Sequence, residues 1–306
     1  MSIALFAYHE LGHQALQTLL AEQAPVVGVF TYEDDPDENC WFGSVSELAR
    51  DAGIPTFTPA DVNQPEWVAK LRELAPEVLL SVHYRHMLKR PIRRVPSRGC
   101  LNLHTSLLPK YRGRCPLNWQ LVHGERESGV TLHEMVARAD AGAIVDQERV
   151  AVGPEDTALE LYQKLLPAAR AVLTRQLPAI LAGAWPRREQ DEARVTKFGG
   201  RGPEDGRIDW SAPAQRIHDL VRAVSRPWPG AFCDVAPGRV MVWRTRVAAL
   251  PPSAEALEPG ATWSDPAGRA YVRAGEGCLE LLDFELPEGL SIGDGLASQA
   301  AGVSAS

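Results

Sequence analysis

Residues 3–31 read IALFAYHELGHQALQTLLAEQAPVVGVFT, and this stretch carries the pattern that decides the fold. Ile3–Tyr8 is a short apolar run typical of a buried strand, and Leu11–Ala21 has the apolar spacing of a helix. A second short apolar run covers Pro25–Thr31. A strand, a helix and a strand in this order predict a β-α-β unit with two parallel strands.

The same alternation continues as far as residue 104. Helices are predicted over Ser44–Ala52 and Pro65–Leu74, and buried strands over Val78–Val82 and Gly99–Leu103. This order favours an α/β, Rossmann-like fold, in which a mostly parallel sheet has helices on both faces. Ligands of such sheets bind beyond the carboxyl ends of the strands, which is where His104 follows its strand.

The pattern changes in the second half of the chain. A long helical pattern over Thr157–Leu181 is followed by a stretch rich in Gly, Arg and Glu and then by several short strand-like runs. Short strands of this kind indicate a small β-rich, OB-like domain. The predicted organisation is a Rossmann-like catalytic domain over 1–188, a linker over 189–210, a β-barrel-like C-terminal domain over 211–290 and a flexible tail over 291–306.

Composition disfavours several classes of protein. Lys and Arg number 32 and Asp and Glu 39, which gives a formal net charge of −7. A dedicated nucleic-acid binder would more often be basic, because phosphate contacts dominate its affinity. The five cysteines are scattered and form no C-x-x-C, which argues against a disulfide framework and a zinc site. We therefore expect neither a nucleic-acid partner nor a metal.

The first apolar run has no basic region ahead of it, so it does not resemble a signal peptide. No apolar stretch approaches the roughly 20 residues that a membrane span requires. These features predict a cytoplasmic protein that does not span a membrane.

Two polar residues form a candidate catalytic pair at the end of a strand. Asn102 and His104 are two apart at a strand end, so their side chains share a face, where an amide and an imidazole can polarise a carbonyl and handle a proton. Asp140 lies in a predicted loop before Gly142. The alternatives are a capping amide, a surface histidine and a turn aspartate.

Residues 102–114, NLHTSLLPKYRGR, favour the catalytic alternative. This stretch resembles the signature of the 10-formyltetrahydrofolate-dependent formyltransferases, and residues 136–142, VARADAG, resemble the second half of the same signature. The resemblance implies that Asn102, His104 and Asp140 are catalytic and that 10-formyltetrahydrofolate donates the formyl group.

The resemblance also implies which residues contact the folate. They are His86, Met87, Leu88, Arg114, Val136, Ala137, Arg138, Ala139 and Asp140. Met87 and Leu88 offer an apolar wall to a pterin ring, but plain core packing explains them equally well. Arg114 is suited to an anion or to a neighbouring carboxylate.

Further segments resemble one branch of this family, which formylates UDP-4-amino-4-deoxy-L-arabinose in the lipid A modification of polymyxin resistance. They are FAYH at 6–9, YRH at 84–86, PLNW at 116–119, RADAGAIV at 138–145 and PWPGAF at 227–232. We expect Arg201 to be a candidate for the nucleotide diphosphate and Trp228 for the uracil. A linker arginine and a rigid turn are the alternatives.

Other functions remain open. A methionyl-tRNA formyltransferase would share the motif, but residues 32–38, YEDDPDE, are acidic where a tRNA enzyme needs a basic loop. A second alternative is another nucleotide-linked amino sugar, such as a dTDP sugar. A catalytically silent folate or nucleotide-sugar binder is the third, although it would not need Asn102, His104 and Asp140 together.

Overall fold

The chain forms two compact units in a computed structural model that describes residues 1–33, 39–236 and 238–296. The first unit comprises Met1–Pro116, Glu127–Ala151 and Tyr162–Gly199. The second comprises Leu117–Arg126, Val152–Leu161 and the residues from Gly200 onward. Residues 189–199, from the first half of the predicted linker, belong to the first unit.

The strands of the first unit, as far as the structure describes it, number nine. They are β1 (Ile3–Ala7), β2 (Val26–Phe30), β3 (Thr56–Phe57), β4 (Val78–Val82), β5 (Gly99–His104), β6 (Arg112–Gly113), β7 (Glu127–Glu134), β8 (Ile144–Ala151) and β9 (Lys197–Phe198). Seven of them form one sheet in the order β3-β2-β1-β4-β5-β7-β8. The first five are parallel, and β7 and β8 are antiparallel. The short strands β6 and β9 pair separately.

The described residues of the whole chain form seven α-helices. They are α1 (His9–Ala21), α2 (Val45–Asp51), α3 (Pro65–Leu74), α4 (Arg90–Arg93), α5 (Pro116–Val122), α6 (Ala158–Ala182) and α7 (Ala214–Val224). The predicted α/β fold with a mostly parallel sheet is therefore confirmed. Within the described ranges, none of these helices is long and apolar enough to cross a membrane.

The middle of the sheet is buried on both faces. Every residue of β1 and of β4 is buried, which explains why both read as continuous apolar runs rather than as alternating ones. The rings of Phe6 in β1 and Phe30 in β2 stack with centroids 4.5 Å apart. Apolar packing thus fixes the middle of the sheet, next to which lies β5, the strand of Asn102 and His104.

The connections place a switch point beside β1. The chain leaves β1 towards β2 and β3 on one side, and then returns to β4 and β5 on the other. In open α/β sheets, ligands bind at the carboxyl ends of the strands near such a reversal. His104, the last residue of β5, lies at that edge of the sheet.

The second unit contains an antiparallel sheet in the order β10-β11-β14-β13-β12. Its strands are β10 (Ala231–Val235), β11 (Gly238–Ala248), β12 (Thr262–Ser264), β13 (Ala270–Arg273) and β14 (Cys278–Glu285). The predicted β-rich C-terminal part is confirmed.

A buried ion pair on α7 lies inside the second unit. Arg222 lies 2.7 Å from Asp219, and the two side chains are only 6% and 4% exposed. The Arg222 guanidinium also donates to the carbonyl oxygens of Gly153 (3.4 Å) and Asp156 (3.2 Å). A buried charge requires such partners, because leaving it unpaired is costly. The pair therefore fastens the 153–156 segment to α7.

Replacing one member of this pair should weaken the fold strongly. We expect Asp219→Asn to lower the free energy of unfolding by roughly 3–5 kcal/mol, because it leaves the Arg222 charge buried without a counterion. Denaturant unfolding measures the change. Asp283→Asn removes the exposed ion pair with Arg226 and is the matched control, with an expected loss of less than about 1 kcal/mol. Equal losses in the two variants would show that burial of the Arg222 charge has no special cost.

Candidate active site

The first unit brings the three predicted catalytic residues together. Asn102 and His104 project from one face of β5, and Asp140 lies in the loop between β7 and β8. Asp140 Oδ1 is 3.9 Å from His104 Nδ1. It is also 3.5 Å from Nε2 of a second histidine, His133, which is 3.1 Å from the Asn102 carboxamide nitrogen. The four side chains form one connected polar group.

The hydrogen bonds of His104 define its tautomer. Nε2 is 2.8 Å from the carbonyl oxygen of Tyr111, which can only accept, so Nε2 carries a proton. Burial lowers the pKa of His104 below its ordinary value, although the Asp140 carboxylate and the hydrogen bond to Tyr111 act in the opposite direction. The ring is therefore neutral at pH 7, and Nδ1 has a free lone pair on the side of Asp140.

Asp140 is held as a carboxylate. Burial alone would raise the pKa of this carboxyl group, but His104, His133 and the Gly113 N–H outweigh it and hold the pKa well below its usual range. The Gly113 N–H donates to Oδ2 at 2.8 Å. Position 113 requires glycine, because its φ is +105° and a Cβ there would lie 2.2 Å from the Phe198 carbonyl oxygen.

His133 is a site residue that the sequence patterns did not reveal. Its Nδ1 is 2.8 Å from the Glu134 carbonyl oxygen and must donate to it, so in the neutral ring Nε2 accepts from Asn102. This contact uses one N–H of the Asn102 amide and leaves the other for a ligand. The sequence feature that could have identified His133 is its position in the strand just before the Asp140 loop.

The S-L-L-P turn after His104 is fixed by one threonine. Thr131 Oγ1 donates to the Ser106 carbonyl oxygen at 2.6 Å and accepts from the Leu108 N–H at 3.1 Å. Gln147 donates to the Leu108 carbonyl oxygen and to the same Thr131 oxygen. The turn therefore leads rigidly from His104 to Tyr111, whose carbonyl holds the His104 ring.

The three predicted folate residues after β4 differ in exposure. Met87 is 61% exposed, whereas Leu88 is buried in the core cluster that contains Phe6. His86 is exposed and contacts the Tyr32 hydroxyl twice. Its backbone N–H and its ring Nδ1 each lie 3.2 Å from that oxygen. Of the two apolar residues, only Met87 presents its side chain to solvent.

The other predicted folate residues lie on the surface of the first unit. Arg114 is exposed and its backbone N–H donates to the Phe198 carbonyl oxygen. In the loop after β7, the residues Val136, Ala137 and Arg138 are exposed and Ala139 is half-buried. Arg138 pairs with Glu192 at 2.7 Å. The loop that ends at Asp140 is thus exposed at residues 136–138, whereas the Asp140 carbonyl oxygen accepts from Gln190 Nε2.

The two predicted nucleotide-binding residues belong to the second unit. The Arg201 guanidinium lies 4.5 Å from the centroid of the Trp119 ring and donates to the Asp205 carbonyl oxygen at 2.8 Å. Trp228 is half-buried in the turn after α7, where its backbone N–H donates to the Ser225 carbonyl oxygen. Each residue has a defined position within its own unit.

Two predicted segments fall at least partly outside the described residues. They are residues 34–38 of the acidic loop and residues 297–306 of the predicted tail. In the part of the chain that the structure describes, no group of three or more His, Cys, Asp or Glu side chains is arranged to hold a metal ion.

Several solved structures with the same fold are formyltransferases. The N-formyltransferase from Helicobacter canadensis, in complex with folinic acid and dTDP-3-aminofucose, is 17% identical, with a TM-score of 0.72 over 92% of this chain and 99% of that one. A sugar 3N-formyltransferase, solved in the presence of dTDP and 5-N-formyl-THF, is 20% identical, with a TM-score of 0.69 over 92% and 97%. The methionyl-tRNA formyltransferase from Clostridium thermocellum is 16% identical, with a TM-score of 0.57 over 81% and 94%.

Sequence models of protein families identify the same relationship. The model described as formyl transferase matches residues 3–177, which is more than half of the chain. The model of the formyl transferase C-terminal domain matches residues 202–292. The chain therefore belongs to the formyl transferase family.

Proposed function

We propose that this enzyme transfers a formyl group from 10-formyltetrahydrofolate to the amino group of a nucleotide-linked sugar. The observation that carries the proposal is the connected polar group of Asn102, His104 and Asp140 at the carboxyl edge of the sheet. An amide donor, a neutral imidazole and a buried carboxylate are the groups that formyl transfer to an amine requires.

Asn102 is assigned to the formyl oxygen. Attack by a neutral amine on the formyl carbon moves negative charge onto this oxygen, which a pre-oriented donor stabilises. One N–H of the Asn102 carboxamide is bound by His133, so the amide plane is fixed and its second N–H is available. His133 therefore acts as a positioning residue for Asn102.

His104 is assigned to the proton that the amine loses. Its Nδ1 has a free lone pair, because the ring is neutral and its proton lies on Nε2. Asp140 is a weak base, since its pKa is held well below the usual range. The carboxylate instead stabilises the imidazolium that forms when Nδ1 takes the proton, and the imidazolium returns that proton to the folate nitrogen as its bond to the formyl carbon breaks.

The residues around the site fit a folate. Met87 presents an exposed apolar side chain that can pack on a pterin ring, and residues 136–138 of the loop before Asp140 are exposed to solvent. When bound, 10-formyltetrahydrofolate supplies the formyl carbon. Structures of two formyltransferases with this fold contain folinic acid or 5-N-formyl-THF, which supports the assignment.

For the acceptor we propose UDP-4-amino-4-deoxy-L-arabinose. The support is the resemblance of several segments, including residues 138–145 and 227–232, to the formyltransferase half of the bifunctional polymyxin-resistance protein. In this proposal Arg201 binds the diphosphate and Trp228 stacks on the uracil. A dTDP-linked amino sugar is the second candidate, because two of the compared structures contain dTDP or a dTDP sugar.

Methionyl-tRNA is a less favoured acceptor. A tRNA formyltransferase shares the fold, but the net charge of −7 disfavours a polyanionic substrate.

The release of tetrahydrofolate is the measurement that decides between the acceptors. The enzyme is mixed with 10-formyltetrahydrofolate and, in turn, with UDP-aminoarabinose, a dTDP amino sugar or methionyl-tRNA. Release with methionyl-tRNA alone would overturn the proposed acceptor, and release with none of the three would overturn the proposed activity.

Removal of either His104 or Asp140 should abolish most turnover without unfolding the protein. We expect His104→Ala and Asp140→Ala each to lower kcat by about 100-fold or more, because each removes a group that acts on the reacting atoms. Steady-state kinetics and thermal unfolding are measured together. Asp51→Ala, at the exposed end of α2, serves as the control. A fully active variant at either position would disprove the assignment.

The charge of Asp140 should be visible in the titration of His104. The carboxylate opposes the effect of burial and raises the pKa of His104, so Asp140→Asn should lower that pKa further. NMR of the His104 ring between about pH 4 and pH 8 measures the change. An unchanged or raised His104 pKa in Asp140→Asn would show that the two groups are not coupled.

A further inference from the structure

The catalytic side chains depend on a short segment of backbone, Tyr111–Gly113. The Tyr111 carbonyl oxygen accepts from His104 Nε2, and the Gly113 N–H donates to Asp140 Oδ2. Any displacement of this segment would therefore move both side chains. The contacts that hold the segment in place are thus contacts that hold the site.

Residues from the predicted linker make several of these contacts. The Arg112 N–H donates to the Thr196 carbonyl oxygen at 2.9 Å, and the Tyr111 N–H donates to Thr196 Oγ1 at 2.8 Å. The rings of Tyr111 and Phe198 stack with centroids 5.1 Å apart. The pairing of β6 with β9 thus fixes one side of the segment.

Gln190 joins this segment to the Asp140 loop. Its Oε1 accepts from Arg112 Nε at 3.0 Å and from Nη2 at 2.7 Å. Its Nε2 donates to the backbone carbonyl oxygens of Asp140 and Gly142, each at 2.7 Å. The buried amide thereby uses two acceptor positions and two donor protons, which is its full hydrogen-bonding capacity.

The loop that Gln190 holds has an unfavourable backbone conformation. Asp140 has a φ of +53° and Tyr111 a φ of +60°, a region that residues with a Cβ seldom adopt. Such conformations persist only where the surroundings over-determine them. Gln190 bonds the backbone of Asp140 itself, so it restrains that strained position directly, and it also holds the side chain of Arg112, the residue after Tyr111.

We infer that Gln190 is a positioning residue for formyl transfer, which sets the placement of the Asp140 carboxylate against His104. It touches neither reacting atom, and it acts through the Asp140 backbone and through Arg112. The inference rests on the role proposed above for Asp140. It assigns to residue 190 a part in the reaction that its place in a predicted linker did not indicate.

The test compares Gln190→Met with Glu189→Met. Methionine keeps the length of the glutamine side chain but makes none of its four hydrogen bonds, and exposed Glu189 is the adjacent residue. We expect Gln190→Met to lower kcat by about 10- to 100-fold with a much smaller change in KM, since displacements of about 1 Å have such effects. Glu189→Met should match the unsubstituted enzyme.

A merely structural role is distinguished by the His104 titration. If Gln190 places the carboxylate, the pKa of His104 in Gln190→Met should move downward, towards its value in Asp140→Asn, while the fold is retained. If Gln190→Met does not fold, Gln190→Glu is measured in its place. Its carboxylate still accepts from Arg112 but cannot donate to the two carbonyl oxygens, so kcat should fall again.

Two outcomes would overturn the inference. One is a wild-type kcat in Gln190→Glu or Gln190→Met, and the other is a folded variant whose His104 titrates as in the unsubstituted enzyme. Failure of the proposed function gives a different result, because the unsubstituted enzyme would then not formylate any sugar nucleotide. The His104 titration needs no substrate, so it tests the placement of Asp140 in either case.

Discussion

Two backbone groups, the Tyr111 carbonyl and the Gly113 N–H, are the constraint on which the candidate site depends. Each contacts one of two buried ionisable side chains, His104 and Asp140. Burial of an ionised carboxylate is unfavourable unless hydrogen bonds and opposite charge compensate it. The Gly113 N–H donates one of these hydrogen bonds to Asp140, and the His104 ring beside it becomes the opposite charge when it takes up a proton. The fold must therefore deliver a loop to the edge of the sheet with a precision of about an ångström.

The same contacts set different protonation states on neighbouring groups. Burial and the fixed Nε2 proton leave His104 neutral, whereas Asp140 stays ionised. Two ionisable groups that differ in this way can divide the work of a reaction between them. The neutral ring is prepared to take a proton, and the carboxylate next to it lowers the free energy of the charged ring that results.

The sequence alone predicted the parts of the molecule that depend on local patterns. The buried runs at β1 and β4 identified the parallel sheet, because strands covered on both faces are continuously apolar. Asn102 and His104 could be assigned to one face, because side chains alternate along a strand. A strand pattern also fixes where a strand ends, so His104 could be placed at the carboxyl edge.

The remaining parts depend on contacts between segments that are distant in the chain. His133 enters the site through strand pairing, and Gln190 through hydrogen bonds to residues 50 and 48 positions away. No local periodicity encodes such contacts. The stretch around Gln190 was predicted to be a linker, because its apolar residues do not recur with the spacing of a helix or a strand. In the structure, Gln190 is nevertheless buried and hydrogen-bonded to residues of the site. Leu88 illustrates the converse, since a residue in a motif can also pack in the core.

The pairing of β5 with β7 limits how the chain length can vary. Asn102 lies opposite His133, and His104 opposite Thr131, so two successive same-face pairs build the site and its adjoining turn. A deletion of one residue within either strand would bring Leu132 or Glu134 opposite Asn102 and turn the imidazole to the other face. Natural variants and engineered chimaeras of this protein can therefore neither gain nor lose single residues within these strands, and the same limit applies to the Tyr111–Gly113 segment that connects them.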